Sequence, residues 1–166
     1  MNLLENIASL SPLELWGDLH GAVAMFALIL FGTTITLTVS LGKFDTAVRW
    51  LKSMLALLLA DLVVLDLLGL FIYIPYRASG GPRTFLLSSE TTAWLHQVVF
   101  EHKEFLAFAP PVLVLVATIL AFLYGKSLPK ETTARKAILF SLVAALVLVL
   151  VVASEAVLVT KTAPLQ

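Results

Sequence analysis

The sequence predicts an all-α integral membrane protein: a four-helix bundle with a short N-terminal helix lying in the interface. Three observations carry that prediction. Of the 166 residues 60% are hydrophobic and only 13% charged, with a mean hydropathy of +0.99, which is more apolar surface than a soluble domain of this size can cover. The apolar residues fall into four runs, each near the roughly 20 residues that a helix needs to cross a bilayer. The connections between them are brief, so residues 1–166 read as a single membrane domain in the cell membrane.

Taken in order, residues 1–10 (MNLLENIASL) place Leu3, Leu4, Ile7 and Leu10 at helical spacing but are too short to span, which suits an interfacial helix. The first basic residue is Lys43, so this segment lacks the positive region of a secretory signal. Ser11-Pro12-Leu13-Glu14 has the form of a capping box with proline at the first helical position. The helix it opens becomes the first span, about 18–41. The second, about 50–74, carries Asp61 and Asp66 and ends at Pro75-Tyr76-Arg77. After the turn-rich Ala78-Ser79-Gly80-Gly81-Pro82 comes the third, about 98–125, which Pro110-Pro111 should kink near its middle. The fourth, about 137–159, has Glu155 near its end. Thr33, Thr34, Thr36, Thr38 and Ser40 on the first span are expected to bond back to their own helix rather than line a pore.

Charge sets the orientation and removes several function classes. Lys43, Arg49 and Lys52 beside the first connection, and Lys126, Lys130, Arg135 and Lys136 beside the third, are seven of the 11 basic residues. They mark the cytoplasmic side, which places both termini outside. With 11 acidic residues in balance, the chain has no basic field for nucleic acid. The absence of cysteine excludes disulfides, thiol catalysis and covalent c-type haem attachment. No Gly-rich phosphate loop, nucleophile elbow or HExxH motif is present, so nothing supports a hydrolase or a nucleotide-driven machine.

Candidate chemistry gathers at the outer ends of the spans. His20 lies 22 residues before Gly42, and His102 lies 22 residues before Tyr124, so both stand about 33 Å up two helices that run in the same direction. Imidazoles at equal depth on two helices are what bis-histidine ligation of one b-type haem requires; the plainer alternative is a pair of interfacial polar residues. Small Ala24 and Ala27 lie below His20 and would leave room for a flat ring. His96, six residues before His102, is about 240° around an unbroken helix and cannot serve the same metal. It is expected at the interface, as a substitute ligand or as a partner contact.

Asp61, Asp66 and Glu155 fall inside apolar runs, where acids are costly and mark ligand sites or proton routes unless they are structural and neutral. Asp66, Tyr73 and Arg77 share a helical face, and Arg77 is placed to bind an anion such as a haem propionate. Asp18, Glu101 and Glu104 complete an acidic rim. With His20, His102 or His96 they form an alternative donor set for zinc, copper or iron.

On His20 and His102, the layout resembles small four-helix membrane b-type cytochromes and haem-bearing anchor subunits of respiratory complexes. The resemblance implies one haem b and electron transfer in the respiratory chain between the quinone pool and an outer-side redox partner. It also implies an electron-transfer subunit of an oxidoreductase complex rather than a stand-alone enzyme. Two other classes stand beside it: a non-haem metal-binding membrane protein, and a structural accessory subunit of a larger membrane complex.

Overall fold

The computed structural model describes residues 11–43 and 46–163, and every regular element among them is helical. The interfacial helix expected over residues 1–10 lies outside the described residues. Helix α1 (Pro12–Val39) opens on the predicted capping box. The Ser11 hydroxyl accepts from the Glu14 amide at 3.2 Å, and the Glu14 carboxylate accepts from the Ser11 amide at 2.7 Å. Two amides that helix geometry leaves without partners are thereby satisfied.

Helix α2 (Ala47–Arg77) stops where its last carbonyls are taken up by the chain folding back. The Ala78 amide donates to the Pro75 carbonyl at 3.2 Å. A Cβ at Gly81 would lie 2.5 Å from that same carbonyl oxygen, so only glycine permits the approach. Two short helices follow, α3 (Pro82–Leu87) and α4 (Glu90–Trp94), and then a π-helical turn at Leu95–Phe100. Helix α5 (Glu101–Ala107) ends at Phe108, and α6 (Ala109–Tyr124) begins beyond it. The helix is thus interrupted where the kink is expected. Pro110 and Pro111 lack the N–H groups that would bond the carbonyls of Leu106 and Ala107, so a continuous helix cannot cross Phe108. A 3-10 turn (Gly125–Lys130) leads into α7 (Thr132–Thr162).

Four helical stretches are long and apolar enough to cross a membrane: Leu13–Val39, Ala47–Arg77, Glu90–Lys130 and Thr132–Thr162. Their outward faces suit acyl chains, since Ile29, Ile74, Phe105, Leu123 and Phe140 are each at least 64% exposed. Helix α1 packs against α2 and α7, and α6 packs against the same two, so α1 and α6 stand diagonally across the bundle. The main core fills the end that carries the basic connections and the middle, with Phe31, Leu51, Leu55, Leu58, Ile138 and Leu142 fully buried. Ala27, Ala117, Ala121 and Ala145 sit among them without exposure, and such small side chains let helices approach closely. Thr33, Thr34 and Thr38 return their hydroxyls to Ile29, Leu30 and Thr34 carbonyls at 2.9, 2.9 and 2.7 Å, as expected of hydroxyls within a helix. A second, smaller core of Tyr76, Leu86, Leu95, Val99, Phe100, Val159 and Ala163 closes the opposite end.

Candidate functional site

Between the two cores the bundle is polar. Trp16 stacks on Phe71 at 5.1 Å between ring centroids, which ties α1 to α2 one turn above His20. The His20 ring then lies against Gly69, with its Cε1 only 3.7 Å from where a Cβ would stand. Its Nδ1 is buried and has no hydrogen-bond partner. His20 shares a cavity of about 130 Å³ with Asp66 from α2 and with Lys103 and Glu104 from α5. Apolar walls complete it, among them Leu62, Leu65, Phe108, Val152 and Ala156, so all four long stretches contribute. Lys103 Nζ bonds Glu104 at 3.0 Å and lies 4.6 Å from the Phe100 ring centroid. A second cavity of about 150 Å³ shares His20, Gly69, Lys103, Glu104 and Ala156 and extends toward Tyr73, Tyr76 and Phe100.

A tighter polar cluster lies nearer the end of the bundle. His96 is only 4% exposed, and both ring nitrogens are engaged. Arg83 Nε donates to its Nε2 at 3.1 Å, and its Nδ1 lies 3.0 Å from the Tyr76 hydroxyl. Because a guanidinium can only donate, the network assigns the proton to Nδ1 and leaves the ring neutral. Phe100 stacks on Tyr76 at 3.9 Å. Arg77 pairs with Glu101 and lies over the Tyr73 ring at 4.7 Å. The π-helical turn belongs to this packing: the Glu101 amide reaches five residues back to the His96 carbonyl, and the widened turn carries His96 and Phe100 inward.

The predicted site residues are thus divided. His20, Asp66 and Glu104 meet in the central cavity. His102 does not join them, because its Nδ1 lies 2.7 Å from Glu155 on α7 and its side chain is 53% exposed. The α5 residues that face His20 are Lys103 and Glu104; Lys103 follows His102 in the chain and so lies about 100° around the helix from it. The residue count addressed depth and carried no information on azimuth. As placed, His20 and His102 do not fit a macrocycle between them: they line no common cavity. Space of roughly 150 Å³ admits one six-membered aromatic ring rather than a tetrapyrrole.

The remaining candidates stand apart. Arg77 is paired with Glu101 instead of facing an open anion site. Asp18 is exposed and lines neither cavity. Asp61 is buried with one carboxylate oxygen unpartnered, as is Oε2 of Glu155. Among the described residues no three His, Asp or Glu side chains converge in a metal-binding arrangement. Sequence reasoning missed Lys103 as a cavity residue and Arg83 as the partner of His96. The available signal was Lys103 itself, a cation beside Glu104 at the mouth of an apolar run. Comparison with protein families, curated proteins and solved structures finds no match to this chain.

Proposed function

We propose that the chain is a multi-pass membrane protein that receives a quinone-type head group from the bilayer beside His20 and takes part in electron transfer. In this reading both termini and the polar end lie outside, because seven of the 11 basic residues sit beside the other end. The observation that carries it is that His20, whose buried Nδ1 has no hydrogen-bond partner, lines an apolar cavity that also holds Asp66. A quinone head needs flat apolar space for its ring, a hydrogen-bond partner for a carbonyl or hydroxyl, and groups that exchange protons when electrons leave or arrive. The central cavity offers each, with His20 and Asp66 as the polar partners and the Lys103–Glu104 pair beside them. The chain's own side chains supply no redox centre, so the electrons pass to an outer-side subunit in a larger membrane complex.

The reading is tested by the fluorescence of Trp16, one turn from His20, in a chain carrying Trp50→Phe and Trp94→Phe. A short-chain benzoquinone should quench it saturably in detergent. His20→Ala or Asp66→Ala should weaken that quenching at least tenfold, whereas His102→Ala should leave it intact. Unsaturable quenching, or quenching indifferent to His20 and Asp66, would overturn the proposal.

A second reading, ligation of one haem b or a bare metal by His20 and His102, has one observation in its favour. Glu155 holds His102 through Nδ1 and leaves Nε2 free, as bound imidazoles are commonly held by carboxylates. It requires the His102 ring to leave Glu155 and turn toward the bundle centre. The visible spectrum of the purified protein distinguishes it.

A further inference from the structure

At the basic end of the bundle, on the opposite side of the main core from His20, two grooves run into one another between α2 and the third stretch. One is apolar and faces outward, lined by Ala56, Leu59, Ala60, Val63, Ile119 and Phe122, with a volume of about 630 Å³. The other, also about 630 Å³, is lined by Arg49, Lys52 and Lys126 together with Thr46, Ser53 and Phe122. Ala56 and Phe122 belong to both, so the grooves are continuous.

Helix periodicity explains the layout: Arg49, Lys52, Ala56, Ala60 and Val63 follow one another along a single face of α2 at spacings of three and four. Lys52 is held over the Phe122 ring, with Nζ 5.0 Å from the centroid. Three cations therefore stand at the mouth of an apolar channel. Thr118, the one hydroxyl in the apolar groove, is turned back to the Val114 carbonyl at 2.7 Å and offers nothing polar to an occupant. Among the described residues no carboxylate forms an ion pair with Arg49, Lys52 or Lys126.

We infer that these joined grooves are a binding site for an anionic diacyl phospholipid. Its phosphate lies among Arg49, Lys52 and Lys126, and one acyl chain runs along Ala56, Ala60 and Val63. The charge complementarity is direct, since cations clustered beside membrane helices attract anionic head groups. Each half of the site matches one half of such a lipid, and the apolar half has no use for a free anion. The inference depends on the chain lying in a bilayer but not on quinone binding, and the tryptophan assay reports on the latter independently.

The test is lipid retention by the detergent-purified full chain, read by native mass spectrometry and by thermal unfolding. Vesicle-derived phosphatidylglycerol and phosphatidylcholine of identical acyl chains are compared with inorganic phosphate. Wild-type protein should retain phosphatidylglycerol on the order of tenfold more tightly than phosphatidylcholine. Phosphate alone should leave the unfolding temperature unchanged. Arg49→Gln with Lys126→Gln, which leaves Lys52 on Phe122, should reduce the preference to about twofold or less. Ala60→Phe, which fills the apolar groove from an exposed position, should weaken both lipids while the preference remains. Equal retention of the two lipids, an unchanged preference in the double variant, or stabilisation by phosphate matching that by phosphatidylglycerol would each overturn the site. If the double variant does not fold, the Ala60→Phe and phosphate arms still decide, because a lipid site requires both the groove and the attached chain.

Discussion

The two halves of this bundle hold themselves together by different means. Toward the basic end, Leu51, Leu55, Leu58, Ile138 and Leu142 interlock without exposure around Ala27, Ala117 and Ala121, and the hydroxyls of Thr34 and Thr38 buried there are satisfied within their own helix. Toward the other end the helices are joined by side chains that need one another: Arg83 with His96, His96 with Tyr76, Arg77 with Glu101, His102 with Glu155. A packed apolar interface tolerates no exchange of partners but does no chemistry. A hydrogen-bonded one leaves particular atoms without a partner, as with the buried His20 Nδ1, and in the proposed reading those atoms serve the ligand. In the proposed reading the contrast separates the part of the chain that sets the fold from the part that would set the function.

The contrast breaks most visibly in the apolar half. Leu58→Ala removes a fully buried side chain from the main core and should cost about 2–4 kcal/mol, measured by reversible denaturation in mixed micelles. Quinone quenching of the folded fraction should be unchanged. In the polar half, Tyr76→Phe leaves the buried His96 without one of its two partners and should cost about 1–2 kcal/mol. Faster proteolysis of the connection around Pro82–Leu87 would report the same loss, since Arg83 ties that segment to His96. Asp66→Asn should change stability by less than about 0.5 kcal/mol, in line with substitutions that remove no buried partner, while it alters quenching of Trp16 by quinone. An equal effect of Leu58→Ala and Asp66→Asn on quenching would erase the distinction between the two halves.

How much of this was legible in the sequence follows the same division. The four apolar stretches, the capping box at Ser11 and Glu14, and the break before Pro110 and Pro111 were readable because each depends on neighbours within a turn or two of helix. The in-helix bonds of the threonines were readable for the same reason. The site was legible less well. The sequence singled out His20, His102 and Asp66 as polar groups beside or within apolar runs, but which of them share a cavity depends on rotation about each helix axis. The π-helical turn at Leu95–Phe100 changes that rotation in the third stretch, and no residue type announces it. Arg83 escaped notice because it sits in a turn-rich connection. Its role exists only once α3 folds back over the end of α2, which the close approach of Gly81 to the Pro75 carbonyl allows.

The sharpest test of where the functional centre lies belongs to His102. Its side chain is 53% exposed but its one partner, Glu155 on the neighbouring α7, is only 20% exposed, so His102→Ala removes little packing yet leaves that carboxylate without its partner and should cost about 1–2 kcal/mol. If His20 acts on a quinone in the central cavity, His102→Ala leaves Trp16 quenching unchanged, and the purified protein shows no α-band with or without it. If the two histidines instead hold a haem, the reduced protein has a sharp α-band with about one extractable haem b per chain, and His20→Ala and His102→Ala each abolish it. His96→Ala would then leave the band in place, because its ring is committed to Tyr76 and Arg83. A band that falls with His102 would therefore move the functional centre from the cavity at Lys103 and Glu104 to the α7 side of α5, and the comparison between a silent apolar half and an active polar half would survive with different atoms carrying it.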